Sequence, residues 1–348
     1  MLLKEIKYKK AYENVIASKI IVWMWVNIYQ GCFNILKSTE VMNDSSVIRD
    51  AIMSGRLVYD NGVFVGKFNN TLSTELEKLG AKYSKYRKGY LIAKEALPAE
   101  IVWAIDTAKA LAYAKGMAIN QFLLNQLSNL DKLTKKLVFD EAVNAIMRNL
   151  QERVYQNAKQ HKIELITPKL DDFMQDEIAK RYTNNLNFWI KNWTEEQIVK
   201  MRNEVSQMAN VGKSVKTITE YIQKEFGISQ RHAKFLARNE SAIATSSYLS
   251  AKYQAEGFVK FKWHTIVDGR ERELHKQLNG QIFRFDDPPI IDERTGQKGL
   301  PAQTYNCRCT FSPVIDGEFL KNRRQMFKAQ NSLLEKIINC LNLKRKIA

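Results

Sequence analysis

Proline is scarce in this sequence, and its scarcity limits the class of protein that the chain can be. Only 6 of 348 residues are proline and 45% are apolar, a composition that argues against a disordered chain and favours a compact, helix-rich protein. The chain is long enough for two or three domains, because single hydrophobic cores seldom grow beyond roughly 250 residues.

Cysteines are also few, and they lack the spacing of a disulfide framework. Cys307 and Cys309 are two residues apart, whereas Cys32 and Cys340 are isolated. This usage fits a reducing compartment better than secretion. The lysines near the N-terminus precede no cleavable apolar core, so no signal peptide is expected.

Long apolar runs are absent as well. The most apolar stretch, residues 20–28, is well short of the roughly 20 residues that a bilayer requires. We interpret it as a packing helix and expect no stable membrane insertion. A helix that presents Trp23 and Trp25 to a membrane surface or a partner is the alternative.

Acidic residues are outnumbered, 37 against 54 lysines and arginines, which gives a formal net charge of +17. A surface with this excess attracts polyanions, and the attraction weakens as salt rises. Nucleic acid is therefore a candidate partner. Alternatively, the positive charge keeps the protein soluble or binds an acidic protein partner.

Apolar periodicity and turn residues predict an α+β protein with mostly helical N-terminal and middle regions. Its expected parts are a helical segment at 1–45, a small α+β hairpin module at 46–105, a long helical region at 106–226, a compact α+β C-terminal domain at 227–317 and a basic helix at 318–348. A polar break at residues 43–46 and Pro168 punctuate the chain. The sequence Asn61-Gly62 between β-forming residues predicts a tight hairpin.

Further turn and capping residues predict the elements of the C-terminal third. Gly227 is expected to end one helix and Ser229 to cap the next, which runs over residues 230–255. Alternating residues at 258–267 predict a half-buried strand. Asp268 is expected to cap a helix that ends at residues 279–280, with strands at 281–285 and 305–314.

Unusual polar and thiol residues are concentrated between Arg238 and Cys309. The order ARNE, KxW, D-x-R-x-R-x-x-H, L-N-G, D-x-P-P and N-C-R-C resembles the C-terminal domain of Mu F-like phage minor head (head morphogenesis, or minor capsid) proteins. The resemblance extends upstream through GRLVYDNGVFVGKF, ELEKLGAKY and RYTNNL, and it covers about residues 50–315. The chain departs from the family pattern at residues 303–305, where relatives often have His-Pro or Pro-Gly.

The resemblance implies a bacteriophage or prophage virion protein present in few copies near the portal. Such a protein acts in capsid assembly and in DNA packaging or DNA ejection. Its implied partners are the portal protein, the inner capsid and phage DNA, and its location is the capsid interior or portal vicinity after assembly in the host cytoplasm. The resemblance implies no enzyme.

Two other functions stay open at the level of sequence. One is a DNA-binding virion protein without chemistry. The other is a DNA nuclease in which His275 is the general base and Arg270 or Arg272 binds phosphate. Nucleases generally use paired carboxylates with a metal, or two histidines, and neither arrangement is evident in the sequence.

The motif residues are expected to hold the C-terminal domain in shape. Asp268 and Arg272 lie four residues apart on the expected helix, as do Glu271 and His275, so each pair should meet. Arg238 is expected to reach the Asp268 region. The full structural motif comprises Arg238, Glu240, Trp263, Asp268, Arg270, Arg272, His275, Asn306 and Arg308.

A zinc site is the metal hypothesis. Cys307 and Cys309 would face the same way on a strand, and His275 would supply a third ligand, with His264 or a water as the fourth. Buried thiols on an apolar face are the alternative. No cofactor is expected beyond this candidate structural zinc.

The basic C-terminal helix is the candidate DNA-binding segment. Residues 318–348 contain eight basic and two acidic residues, and such a helix can bind an anionic surface or a partner, or pack back on its own domain. The candidate phosphate contacts are Lys321, Arg323, Arg324, Lys344, Arg345 and Lys346.

Overall fold

The computed structural model describes residues 2–37, 46–166, 170 and 172–347, with side chains described up to residue 333. It is 64% helical with a few small antiparallel sheets, which confirms the α+β class. The predicted breaks at residues 43–45 and at Pro168 lie outside the described residues.

Long helices dominate the chain. In order they are α1 (Ala11–Met24), α2 (Gln30–Lys37), α3 (Val47–Met53), α4 (Asn70–Lys78), α5 (Ala99–Ser128), α6 (Leu130–Thr134), α7 (Asp140–Gln160), α8 (Asp172–Asn210), α9 (Val215–Ala255), α10 (Glu273–Leu278) and α11 (Gly317–Ile347). A π-helical turn, Trp25–Tyr29, joins α1 to α2, and a 3₁₀ turn, Lys94–Ala96, precedes α5.

The strands are short. In order they are β1 (Leu57–Asp60), β2 (Val63–Gly66), β3 (Lys82–Ser84), β4 (Gly89–Leu91), β5 (Lys260–His264), β6 (Ile282–Arg284), β7 (Ile290–Asp292), β8 (Gln297–Lys298) and β9 (Thr310–Pro313). They form sheets of order β1-β2-β4-β3, β6-β5-β9 and β7-β8, and their pairings are antiparallel.

Internal contacts divide the chain into two compact units. Unit 1 contains Met1–Lys19, Val138–Phe188 and Ala233–Ala348, and unit 2 contains Ile20–Leu137 and Trp189–His232. Each unit draws on segments that are separate in the sequence. The five predicted segments therefore stay a prediction.

The hairpin of unit 2 is confirmed. Asn61 and Gly62 both have positive φ, 47° and 79°, as a two-residue type I′ turn between β1 and β2 requires. Phe64 and Tyr90 lie opposite each other on β2 and β4 and belong to the apolar core of this module. Helix α4 of the same module is followed by Gly80, which has φ 86°.

The apolar N-terminal segment is helical over residues 11–37. Among the described residues it is the one helix long and apolar enough to cross a membrane, but a buried core helix passes the same test. Tyr29 is buried and hydrogen-bonded to Ser229 at 2.5 Å, and Trp25 packs against Phe226. These contacts favour the packing-helix interpretation, and the absence of membrane insertion stays a prediction.

Two predicted helix boundaries are wrong. Helix α9 continues from Val215 to Ala255, so Gly227 does not end a helix and Ser229 does not cap one. The Ser229 hydroxyl bonds Tyr29 instead. The helix ends where predicted, because Gly257 after it takes a positive φ of 87°.

The three-stranded sheet of unit 1 has the predicted alternation, but over residues 260–264 rather than the predicted 258–267. Phe261 and Trp263 of β5 are buried, while Lys260, Lys262 and His264 between them are partly exposed. The N-terminal segment of unit 1 reaches the same sheet, since Leu2 forms a β-bridge with Val314.

Helix α11 starts against this sheet. Its Phe319 is buried and stacks on Phe258 with ring centroids 4.2 Å apart. Lys260 of β5 forms ion pairs with Asp316 and Glu318, both at 2.9 Å. The beginning of the basic helix is thus packed back on its own unit.

The segments on either side of the motif differ from the prediction. Helix α10 begins at Glu273, and residues 268–271 form a turn in which the Asp268 N–H donates to Glu271 Oε2 at 3.0 Å. Strand β9 begins at Thr310. Cys307 and Cys309 therefore precede the strand, after Asn306, whose φ of 58° interrupts an extended chain.

Candidate functional site

The two central residues of the ARNE motif on α9 fix the start of the N-C-R-C segment. Arg238 Nη2 donates to Asn306 Oδ1 at 2.9 Å, and the Asn306 N–H donates to Asn239 Oδ1 at 2.7 Å. Asparagine tolerates the left-handed conformation that Asn306 adopts. Two consecutive helical residues thus hold the turn that leads into Cys307.

Asn239 was not among the predicted site residues. The signal was present, because Asn239 is part of the ARNE motif. Its importance follows from a contact between residues 67 positions apart in the chain, and such a contact has no local sequence pattern.

Asp268 is bound by two arginines. Arg308 contacts its carboxylate with both terminal nitrogens, at 2.6 and 2.7 Å, and Arg270 Nη2 lies 2.5 Å away. The hydrogen bonds from Arg308 and then Arg270 hold the pKa of Asp268 far below its ordinary value. A bidentate contact of this type fixes the orientation of the guanidinium relative to the carboxylate as well as their distance.

The predicted pairs around Asp268 are not formed. Arg272 donates to Thr304 Oγ1 at 2.9 Å and to the Tyr305 carbonyl at 2.6 Å, and Arg238 binds Asn306 rather than the Asp268 region. Glu271 accepts from the Asp268 N–H instead of meeting His275. The pairs were based on a helix from Asp268 onward, and that helix starts five residues later.

Glu240, also on α9, is a buried carboxyl with an exposed fraction of 2%. Its Oε1 accepts from Asn239 Nδ2 at 3.0 Å, and its Oε2 has no hydrogen-bond partner in the described part of the chain. Burial raises the pKa of Glu240 against the opposing effect of its hydrogen bonds from Asn239 and Asn185.

The structure brings His275, Cys307 and Cys309 together. His275 Nδ1 lies 3.5 Å from Cys307 Sγ and 3.6 Å from Cys309 Sγ. All three side chains are buried, and their potential ligand atoms lie within 4.8 Å of one another. Among the described residues, these three form the one group of His, Cys, Asp or Glu side chains whose spacing could hold a metal ion.

A set of hydrogen bonds orients this His-Cys cluster, defined as His275, Cys307 and Cys309. His275 Nε2 lies 3.1 Å from the Ile291 carbonyl on β7. Since a carbonyl only accepts, Nε2 carries a proton, and Nδ1 is the ring nitrogen that faces the two sulfurs. The Ala302 N–H approaches Cys307 Sγ at 3.4 Å.

Trp263 supports the cluster through a second side chain. Its Nε1–H donates to Thr265 Oγ1 at 2.9 Å, and the Thr265 hydroxyl donates to the His275 carbonyl at 2.6 Å. Thr265 Oγ1 also lies 3.5 Å from Cys309 Sγ. Thr265 and Ile291 were not predicted as site residues, since a hydroxyl or carbonyl supporting a ligand leaves no distinct spacing in the sequence.

The two thiols differ in proton affinity. The hydrogen bond from Cys309 and then the nearby His275 lower the pKa of Cys307, although burial opposes this. The hydrogen bond to Cys307 and burial raise the pKa of Cys309. Burial lowers the pKa of His275, but its contact with Cys307 raises it more, so the net shift is upward.

His264 is not part of the His-Cys cluster. Its Nε2 lies 2.9 Å from Ser312 Oγ, on the face of β5 that also carries Lys260 and Lys262. The sequence expectation of His264 as a fourth ligand is therefore wrong, because alternation along β5 places Trp263 on the face toward the cluster.

The predicted nuclease residues do not form a reaction centre. His275 has an exposed fraction of 3%, and its ring nitrogens face a carbonyl and two sulfurs. Arg270 and Arg272 are bound to Asp268 and to the 304–305 segment. A base with this burial and these neighbours is poorly placed to accept a proton at a DNA backbone.

The predicted DNA-binding residues are in different environments. Lys321 and Arg324 are exposed on α11. Arg323 is partly buried, with its guanidinium over the rings of Phe319 and Phe327, and burial lowers its pKa. Helix α11 includes residues 344–346, but the side chains of Lys344, Arg345 and Lys346 lie outside the described residues.

Comparison with known proteins gives one family and three relatives. Residues 199–312 match the family model for Phage Mu protein F like protein. An uncharacterized protein of Haemophilus influenzae is 29% identical over 135 residues, 38% of this chain and 29% of that protein. No solved structure matches the chain.

Two further relatives have descriptive names. The NAD(+)--arginine ADP-ribosyltransferase EFV of Enterococcus faecalis is 30% identical over 115 residues, 30% of this chain and 23% of that protein. The minor head protein GP7 of Bacillus phage SPP1 is 25% identical over 142 residues, 37% of this chain and 46% of that protein. The chain thus matches less than half the length of each relative.

Proposed function

The chain carries a Phage Mu protein F-like domain over residues 199–312, and from this premise we propose that it is a minor head protein of a tailed phage or prophage. The family match carries the proposal. The similarity to the minor head protein of phage SPP1 supports it, although that similarity covers only part of each chain.

We further propose that the protein acts near the portal, in capsid assembly and in DNA packaging or ejection. Its partners would be the portal protein and the inner capsid, which it meets in the host cytoplasm during assembly. The arrangement of the motif supports an assembly role, because Arg238, Arg272 and Arg308 are all bound to neighbouring segments of the same unit. Arginine side chains bound in this way stabilise the folded domain and are not free to bind a substrate.

Contact with phage DNA is the second candidate function. The net charge of +17 supports it, because clustered lysines and arginines bind phosphates without regard to base sequence. Exposed Lys321 and Arg324 on α11 are placed to contribute. This function is compatible with a location inside the head.

The enzymatic alternatives receive less support. A nuclease that uses His275 conflicts with the burial and hydrogen bonding of that residue. The ADP-ribosyltransferase name is not transferred to this chain, because the match covers 23% of that relative. A non-enzymatic head protein remains the proposal that the family match favours.

The test uses the phage or prophage that encodes the chain. Particles are purified from a wild-type strain and from a strain lacking this gene, and they are compared by mass spectrometry, electron microscopy and infectivity. We expect the protein in purified heads at low abundance relative to the major capsid protein. Its loss should reduce infectious, DNA-filled particles.

Complementation provides the control. The wild-type gene and a gene encoding Lys298→Ala should both restore the particles, because Lys298 forms only an exposed ion pair with Asp287. Purified heads that lack the protein, or deletion particles that are as infectious as wild type, would contradict the proposed function.

A further inference from the structure

The His-Cys cluster has a ligand set and a geometry that its role in packing does not explain. Two sulfurs and one imidazole nitrogen converge in a buried place without a carboxylate in the group. Thiolate and imidazole are the ligands that Zn²⁺ prefers in proteins, whereas Ca²⁺ and Mg²⁺ require oxygen.

The distances agree with a tetrahedral metal centre. With zinc bonds of about 2.3 Å to sulfur and 2.0 to 2.1 Å to nitrogen, tetrahedral sulfur and nitrogen ligands lie about 3.5 to 3.6 Å apart. The two sulfurs lie 3.5 and 3.6 Å from His275 Nδ1. Both separations therefore match the edge of a tetrahedron around a zinc ion.

Both sulfurs approach the same ring nitrogen, since the Ile291 carbonyl already engages Nε2. One lone pair on Nδ1 can accept from one S–H group only. Without a cation, Cys309 is held beside the ring by its contacts with Cys307 and Thr265. A cation at the centre of the three atoms would bring all three ligand atoms to these distances at once.

The surroundings have the features of an outer shell around a metal. Metal-binding histidines usually donate their other N–H to a carbonyl or carboxylate, as His275 Nε2 does to Ile291. The Ala302 N–H points at Cys307 Sγ, and such bonds stabilise a thiolate. The Thr265 hydroxyl donates to the His275 carbonyl and thereby fixes the backbone that carries the imidazole.

A cavity of about 90 Å³ borders the cluster on one side, lined also by Thr265, Glu271 and Arg272. The Glu271 carboxylate accepts from the Asp268 N–H and is not part of the group that converges on one point. Its volume exceeds the 10 to 15 Å³ or so that one water requires. The fourth tetrahedral position can therefore be filled by water, since no fourth His, Cys, Asp or Glu belongs to the described group.

We propose that His275, Cys307 and Cys309 bind one zinc ion, whose fourth ligand is a water in the adjoining cavity. The ion would join α10 to the segment before β9. Binding releases the protons of the thiols, because zinc coordinates thiolates. This inference does not depend on the proposed function, since it concerns the chemistry of three side chains.

The test measures metal in the full chain, purified under reducing conditions. Inductively coupled plasma mass spectrometry of wild type should give about one zinc per chain, and the Cys32→Ser variant should give the same. Cys32 is a buried thiol that lies far from the His-Cys cluster in the sequence. It donates a hydrogen bond to the Ile28 carbonyl, and a serine hydroxyl can make the same bond. Cys309→Ser should retain less than a tenth of the zinc.

Cobalt provides a measurement that does not require the variants to fold. Metal-free wild type titrated with Co²⁺ should develop the visible bands of tetrahedral cobalt and the near-ultraviolet charge-transfer band of two thiolates, saturating at one equivalent. Addition of thiocyanate should shift the visible bands, because the water can be replaced. Unshifted bands would overturn the water ligand.

Three results would overturn the zinc proposal itself. Folded wild type could lack zinc and show no tetrahedral cobalt bands. Folded Cys309→Ser could bind as much metal as wild type. Mass spectrometry of the reduced and purified chain could show a Cys307 to Cys309 disulfide in place of two thiols.

Discussion

Asn306 connects two motifs of the sequence at the scale of a single residue. Its side chain accepts from Arg238 and its N–H donates to Asn239, while its backbone adopts a positive φ of 58°. Asparagine can meet these requirements together, because it tolerates this conformation and offers a carbonyl oxygen. The ARNE and N-C-R-C motifs are therefore one structural feature.

Glu240 permits a prediction about pH. Burial raises its pKa in the folded state, so the folded protein holds a proton that the unfolded chain has lost at the same pH. Between the ordinary pKa of 4.5 and the raised value, the free energy of unfolding should increase as pH falls. The slope from this one group is at most about 1.4 kcal/mol per pH unit.

The matched variant is Glu240→Gln, which has no charge to lose. Thermal or urea unfolding of both proteins from about pH 7.5 down to about pH 5 should show that wild type gains stability relative to the variant. The comparison removes contributions of other groups that titrate alike in both proteins. Parallel stability curves would show that Glu240 is charged in the folded state throughout this range.

At the scale of elements, two helical glycines have opposite roles. A Cβ on Gly116 of α5 would lie 2.5 Å from the Ala209 Cβ of α8, whereas a Cβ on Gly227 of α9 would meet only the end of Arg231 at 4.0 Å. Gly116 thus permits two helices of unit 2 to approach closely. Gly227 has no such contact.

We predict that Gly116→Ala destabilises unit 2 and that Gly227→Ala stabilises it. Overpacking between helix backbones typically costs about 1 to 3 kcal/mol, while alanine in place of a helical glycine contributes roughly 0.5 to 1 kcal/mol. Chemical unfolding followed by circular dichroism measures both. Equal stability of wild type and Gly116→Ala would contradict the close approach of α5 and α8.

The same elements show what local sequence can and cannot predict. The hairpin at Asn61-Gly62, the end of α9 at Ala255 and the alternation along β5 were predicted correctly, because turn chemistry and burial periodicity act over a few residues. Gly227 and Ser229 were wrongly predicted as the end of one helix and the cap of the next, although α9 runs through both. The hydrogen bond between Ser229 and Tyr29 joins residues that are 200 positions apart in the chain. Tertiary contacts of this kind override the local preference for a helix end.

The site shows the same division. The residue types of the His-Cys cluster were predicted from the sequence, and the structure brings them together. Their geometry was not, because Cys307 and Cys309 lie in a turn-rich segment before β9 rather than on a strand. The partners of Arg272 and Arg308 were also missed, since both partners are more than 30 residues away in the chain.

At the scale of the whole molecule, the excess of positive charge is the property that matters for DNA. The last part of the basic helix, residues 334–348 and called the tail from here on, contains four basic residues and one acidic residue. They follow the part of α11 that is packed by Phe319 and Lys260, so their removal leaves that packing in place. The tail can therefore be tested separately from folding.

We predict that the full chain binds duplex DNA with little sequence preference, and that removal of residues 334–348 weakens binding and its dependence on salt. Each phosphate contact that is lost should reduce the slope of log K against log salt by about 0.9. Fluorescence anisotropy with a labelled duplex over a series of salt concentrations measures this slope. The truncation should lower it by about 2 to 4 if most of the tail's cations contact phosphate.

A charge-matched control separates a specific role of the tail from the effect of net charge. The triple variant Lys67→Gln, Lys82→Gln and Lys85→Gln also removes three positive charges, and all three lysines are exposed in the hairpin module. If the tail contacts DNA directly, the truncation must reduce the slope more than the triple variant does, because only neutralised phosphates release counterions. Equal losses in the two proteins would mean that the tail acts through total charge alone, and the DNA contacts would then have to lie on another surface.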